Sequence, residues 1–193
     1  ATASGVEGVA ALSDAIRPES AKVISEMKEL GIVPIMLTGD HAAPAKFVGD
    51  ILGITEIKSS LLPDQKSAAI KELSIRYGSI AMVGDGVNDA PALASASVGI
   101  SMAAVGSAAA IEASSIAILN DRIELVPYLV RLGRRTFNTI RFNTALAVVV
   151  KTTFLGLAIG GHSSLVLAIV ADVGLTLVVV VNSLRIGSYK NGN

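Results

Sequence analysis

Two textures of apolar residues follow one another along the chain. Before Arg141, short β-branched runs alternate with stretches of helical periodicity, each bounded by Gly, Pro or Asp. The runs Gly8–Leu12, Val33–Leu37, Ile80–Val83 and Val98–Ile100 predict strands, with Ser114–Ile118 as a weaker fifth. Helices are expected over Pro18–Leu30, Ala43–Leu52, Pro63–Tyr77 and Asp89–Ala94. Pro18 and Pro63 suit the first turn of a helix, where the missing N–H has no partner to lose, and Gly31, Gly53 and Gly78 suit C-terminal stops. Alternating βα units imply a mostly parallel, Rossmann-like sheet with helices on both faces. Ligands of such sheets sit at the carboxyl ends of the strands. Two polar turns fall there: Thr38-Gly39-Asp40 and Gly84-Asp85-Gly86.

The second texture is continuous. From Thr144 to Leu184 the only charged residues are Lys151 and Asp172, and two apolar helices are expected over Asn143–Ile159 and Leu165–Ile186. A hydrocarbon core takes about 20 residues of helix, so both are near spanning length, the first at the short end. Arg131, Arg134, Arg135 and Arg141 precede the pair, Arg185 and Lys190 follow it, and the turn Gly160-Gly161-His162-Ser163-Ser164 holds no Lys or Arg. The positive-inside rule then places both ends and the α/β part on the cytoplasmic side of a membrane. The competing reading, a buried helical hairpin of a soluble protein, fits the lengths less well. The expected organisation is an α/β domain over 1–120, a basic connecting helix over 121–142, a transmembrane hairpin over 143–187 and a short tail over 188–193.

Composition agrees with membrane content: 51% of the residues are hydrophobic and the mean hydropathy is +0.62. The 16 Lys+Arg balance 16 Asp+Glu, which gives no electrostatic footprint for nucleic acid. Without cysteine, disulfides and thiolate metal sites are excluded within these residues. Ala1 to Leu12 lacks the basic start and sustained apolar core of a secretory leader.

The chemistry concentrates at the strand-to-helix turns. Gly84-Asp85-Gly86-Val87-Asn88-Asp89-Ala90-Pro91 crowds two carboxylates and an amide onto one turn after the run Ile80–Val83. Hard oxygens held this way suit Mg²⁺, which shares phosphate oxygens with its protein ligands. A plain glycine-rich turn with capping Asp and Asn is the bland alternative. A dinucleotide fingerprint fails because Asp89 stands where the third glycine belongs, and no P-loop pattern occurs. At Leu37-Thr38-Gly39-Asp40 a hydroxyl and backbone N–H groups can hold a phosphoryl oxygen; taken alone, Thr38 or Asp40 reads as a helix N-cap. Leu62-Pro63-Asp64-Gln65-Lys66 puts a cation in the first turn of a helix, where the dipole disfavours it unless an anion is near. Taken alone, Lys66 reads as a solvated surface lysine.

Together and in this order, Thr-Gly-Asp, Pro-Asp-Gln-Lys and Gly-Asp-Gly-Val-Asn-Asp-Ala-Pro resemble the phosphorylation domain of the P-type ATPases, within the haloacid dehalogenase superfamily. Leu12-Ser13-Asp14-Ala15-Ile16-Arg17-Pro18 resembles the segment entering that half-domain. The resemblance covers nearly the whole chain and implies a partial haloacid-dehalogenase-like sheet. It further implies that Thr38, with Gly39 and Asp40, and Lys66 hold the phosphoryl group. Asp85 would ligate Mg²⁺, supported by Asn88 and Asp89, with ATP as substrate. Asp14 and Arg17 would lie near the hinge or nucleotide side, and His41 reads as a surface histidine. The family's nucleophile lies in Asp-Lys-Thr-Gly-Thr, and neither that string nor the actuator's Thr-Gly-Glu occurs here. The chain is therefore expected to be a fragment, a split half or a degenerate relative, inactive alone.

Lys151 and Asp172 each carry an insertion penalty of about 2.5–3.5 kcal/mol in lipid, which makes them functional candidates. Both lie roughly 12–14 Å from the turn at about 1.5 Å per residue, so they can pair near mid-membrane. A pair that only fixes helix register is the alternative. Val170-Ala171-Asp172-Val173-Gly174 resembles the last membrane helix of the zinc/cadmium/lead branch of heavy-metal P-type ATPases, where Asp-x-Gly helps bind metal and a lysine stands in the preceding helix. By that resemblance Asp172 is a ligand of the transported metal and Lys151 its counter-ion. Asn138, Asn143 and Asn182 read as helix-end hydrogen bonders. The function expected is a piece of an ATP-driven heavy-metal exporter, whose partners are the rest of the pump, a divalent heavy metal and membrane lipid. The alternatives are a membrane-tethered phosphatase of the dehalogenase superfamily and a non-enzymatic subunit packed on an intact pump.

Overall fold

The computed structural model describes residues 15–84, 87–102, 108–120, 122–161 and 164–188. Asp14, Asp85, His162, Lys190 and the expected strand Gly8–Leu12 lie outside them. The chain divides into two compact units, residues 1–125 and 126–193.

In the first unit, α1 (Ser20–Glu29), α2 (Ala42–Leu52) and α3 (Pro63–Tyr77) interleave with β1 (Ile35–Leu37), β2 (Glu56–Lys58) and β3 (Ala81–Gly84). A 3₁₀ turn (Val87–Asp89) leads into α4 (Ala90–Ser95), followed by β4 (Val98–Met102), α5 (Ala108–Ala113) and β5 (Ile116–Ile118). All described pairings are parallel, as the βα alternation predicts. They form two sheets among the described residues, β1–β2 and β3–β4–β5, rather than one.

Local chemistry explains most boundaries. Pro63 opens α3, and Gln65 Oε1 accepts from the Leu62 N–H at 2.9 Å, satisfying a donor the helix leaves open. Gly53 closes α2 in the left-handed region, φ +66°. Pro18, by contrast, sits outside the first helix: α1 starts at Ser20 with Glu19 as its N-cap. Strand β4 is buried after Val98, as parallel strands usually are. Gly99 is required there, because a Cβ would lie 2.7 Å from the Leu93 carbonyl oxygen. The fully buried Ser101 hydroxyl meets the Ser114 hydroxyl at 3.0 Å.

The core centres on Ile70 of α3, Met82 of β3 and Ala92 and Leu93 of α4, with Leu37, Ile80 and Ala96 packed against it. Residues from both sheets thus share one apolar cluster, which fixes the ends of β1 and β3 where the polar turns begin. Two elements were not anticipated: β2, whose Glu-Ile-Lys has no apolar run, and α5, an alanine-rich single turn and a half without an amphipathic pattern.

The second unit is a helical hairpin. Helix α6 runs without a break over Leu125–Ile159, 35 residues, so the basic segment and the first apolar stretch are one helix. Helix α7 covers Leu165–Gly187, and the Ser164 hydroxyl caps it by accepting from the Leu167 N–H at 3.2 Å. Both are long and apolar enough to cross a membrane, and almost none of their apolar stretch is buried within the chain.

Candidate functional site

The turn after β1 is built by its own hydrogen bonds. The Thr38 hydroxyl donates to Asp40 Oδ2 at 2.8 Å and accepts from the Asp40 N–H at 3.1 Å. The Thr38 carbonyl accepts from the Leu61 N–H and the Asp40 carbonyl from the Ser60 N–H. The loop leaving β2 toward α3 is thereby tied to the Thr38-Gly39-Asp40 turn. Asp40 is exposed, and His41 is an exposed residue at the N-cap position of α2. Arg17 is exposed ahead of α1.

The turn after β3 holds the second group. Lys66, in the first turn of α3, places Nζ 2.7 Å from Asp89 Oδ1, and the two side chains are only 17% and 14% exposed. This supplies the anion that a cation at a helix N-terminus requires. Gly84 makes the approach possible: a Cβ there would lie 2.9 Å from Asp89 Oδ2. Asn88 is exposed beside it on the same 3₁₀ turn. An amide oxygen and a carboxylate oxygen on adjacent residues of one tight turn form a hard donor set that fits Mg²⁺.

In the hairpin, Lys151 Nζ lies 3.4 Å from Asp172 Oδ1. The pair borders a cavity of about 180 Å³ lined by Val150, Phe154, Ala168, Ala171 and Leu175. Among the described residues no three His, Cys, Asp or Glu side chains gather into a metal site. Asn143 does not bond at a helix end, as the sequence suggested. It lies within α6 and bonds across to α7, because the helix continues eighteen residues upstream of it. Asn138 lines a separate cavity with Arg135, Thr139, Phe142 and Asn182.

Residues 3–97 match the haloacid dehalogenase-like hydrolase family. Over 184 residues the chain is 44% identical to a probable cadmium-transporting ATPase of Listeria monocytogenes, covering 95% of this chain and 26% of that protein. The homologues of this chain are P-type ATPases. A cadmium/zinc-transporting ATPase of Oryza sativa subsp. japonica is 45% identical over 186 residues, 95% of this chain and 17% of its own length. The crystal structure of a zinc-transporting PIB-type ATPase in the E2.Pi state superposes with a TM-score of 0.84 at 37% identity, over 90% of this chain and 28% of the other. The chain thus spans about a quarter of the length of the bacterial relative. The part of this chain that superposes takes in residues of both the α/β unit and the apolar hairpin.

Proposed function

We propose that this chain is the C-terminal portion of an ATP-driven heavy-metal cation pump of the zinc, cadmium and lead type. It contributes phosphoryl- and Mg²⁺-binding residues together with part of the membrane metal site. The observation that carries this reading is the Lys151–Asp172 pair, 3.4 Å apart on two otherwise apolar helices. A simple membrane anchor has no use for two charges at that depth.

In this reading the soluble unit lies on the cytoplasmic side and works on the phosphoryl group. A phosphoryl oxygen competes with Asp40 for the Thr38 hydroxyl proton, while the backbone N–H groups at the start of α2 present positive ends of dipoles. Lys66 keeps one N–H on Asp89, which aims the ammonium and leaves its other two protons for phosphoryl oxygens. Asp85, Asn88 and Asp89 hold Mg²⁺, whose positive charge offsets that of the phosphoryl oxygens when it is bound. The nucleophile is brought by another part of the pump, since Asp-Lys-Thr-Gly-Thr does not occur in these residues. The separation of β1–β2 from β3–β4–β5 supports an additional strand from that part. In the hairpin Asp172 is a ligand of the transported cation and Lys151 its resident counter-ion. The other metal ligands come from the remainder of the pump.

Two assays test this. The chain alone, incubated with radiolabelled ATP and run on an acidic gel, is expected to form no acid-stable phosphoenzyme. Joined to the upstream portion of a cadmium-transporting relative, it is expected to restore cadmium- or zinc-stimulated ATP hydrolysis. A folded hybrid that is phosphorylated yet indifferent to metal overturns the transport assignment.

A further inference from the structure

The one buried residue of α6 after Pro127, among the described residues, is polar: Asn143, 9% exposed. Helix α7 has no buried residue among those described. Both ends of the Asn143 amide are bonded across the hairpin. Its Nδ2 donates to Ser183 Oγ at 3.0 Å, and its Oδ1 accepts from Asn182 Nδ2 at 2.7 Å. The Ser183 hydroxyl in turn donates to the Val179 carbonyl at 2.8 Å. In lipid, apolar side chains gain little by leaving the acyl chains for one another, so interhelical hydrogen bonds and shape carry the association.

The cluster and the charged pair belong to one antiparallel register. Counted outward from the turn, Lys151 lies eight residues before Ile159 and Asp172 seven after Leu165. Asn143 lies sixteen before, with Asn182 and Ser183 seventeen and eighteen after. The two levels are about 12–16 Å apart along the helices, and Ser183 follows Asp172 by just over three full turns, on the same face. Lys151 and Asp172 are themselves 66% and 60% exposed, so packing within this chain does little to hold them.

We propose that Asn143, with Asn182 and Ser183, forms the positioning cluster that sets the register in which Lys151 meets Asp172. A slip of one turn breaks both Asn143 bonds and separates the charges, whereas an intact cluster tolerates local motion at the pair. The inference rests on reading the helices as membrane-spanning, and it does not depend on which ion the pump carries.

The chain has no cysteine, so Leu155→Cys and Leu184→Cys, at exposed sites roughly 22 Å apart along the hairpin axis, accept spin labels cleanly and report an axial slip as a change of distance. With the full chain in lipid nanodiscs and no metal added, pulsed electron resonance is expected to show one distance population. Asn143→Leu is expected to add a second population displaced by about one turn, about 5 Å. The isotope-edited infrared band of the Asp172 carboxylate is expected to move toward its position in Lys151→Met. Ser183→Ala, which removes a single bond, gives a smaller share of the second population and serves if Asn143→Leu fails to insert. Thr139→Val, whose hydroxyl bonds only its own helix at the Arg135 carbonyl, leaves both readouts unchanged. An unaltered distance and band in Asn143→Leu and Ser183→Ala, or an equal change in Thr139→Val, overturns the proposal. Because no metal is present, failure of the transport reading leaves this result untouched, and the reverse holds as well.

Discussion

Lys66 Nζ lies 2.7 Å from Asp89 Oδ1, joining the first turn of α3 to the 3₁₀ turn after β3. Neither charge has a good alternative: one faces an unfavourable helix dipole, and both are largely shielded from water. Asp89→Ala is expected to destabilise the chain by about 1–3 kcal/mol, because a partly buried ammonium loses its partner. Lys66→Ala costs a similar amount. The double variant should fall short of the sum by about 1 kcal/mol, as contacting residues do. Thermal unfolding of the four proteins measures this coupling, and strict additivity would mean the contact contributes nothing.

Gly84→Ala tests the same turn sterically. The new Cβ starts 2.9 Å from Asp89 Oδ2, so the carboxylate must move. The expected result is a lowered Mg²⁺ affinity with only a modest loss of melting temperature. In Gly99→Ala the obstacle is the backbone carbonyl of Leu93, and stability itself is expected to drop by about 1–3 kcal/mol.

Amide resonances of Gly84–Asp89 are expected to shift on millimolar Mg²⁺ even without a phosphoryl group, since Asp85, Asn88 and Asp89 are hard oxygen donors. Nuclear magnetic resonance titration of the chain and of Asp85→Asn reads this directly. Shifts that survive Asp85→Asn unchanged would remove Asp85 from the site.

The pH dependence of stability should show two limits set where β2 meets α3. A hydrogen bond from Lys58, and then its charge, hold the Glu72 carboxyl below its ordinary value of 4.5. A depressed carboxyl contributes above that value and loses its contribution as the pH falls below it. The Tyr77 hydroxyl donates to Glu56 Oε2 at 2.6 Å, which raises it above its ordinary 10.0. A raised group contributes below 10.0 and loses its contribution as the pH climbs through the raised value. Glu72→Gln should lower the melting temperature slightly at neutral pH and converge with the parent chain at acid pH, and Tyr77→Phe should do the same with convergence at alkaline pH.

Legibility in the sequence followed the strength of local signals. Helix α3 was readable to the residue because Pro63 opens it, Gly78 follows it and Ile70 and Leu73 keep the apolar period between. Strand β2 was not, since Glu56 and Lys58 flank a lone Ile57 and the strand exists by pairing with β1. The motif residues could be ordered along the chain but not joined. That Lys66 contacts Asp89 depends on α3 and α4 packing on one core, which no spacing states. The opposition of Lys151 and Asp172 followed from counting to the turn, because a hairpin converts sequence distance into depth. Asn143 was misplaced for the converse reason: its role depends on α6 continuing upstream, where arginines interrupt the apolar pattern.

Asp172 as a ligand for the transported ion is the central element of the proposed function. The decisive measurement compares zinc- or cadmium-stimulated ATP hydrolysis with phosphorylation from inorganic phosphate, in a complete pump carrying this hairpin. Asp172→Ala is expected to abolish metal stimulation while leaving phosphorylation from phosphate intact, because the proposed function puts phosphoryl chemistry on the α/β unit and ion binding on the helices. Full metal stimulation by Asp172→Ala at normal expression would contradict the account and leave the Lys151–Asp172 pair a structural contact.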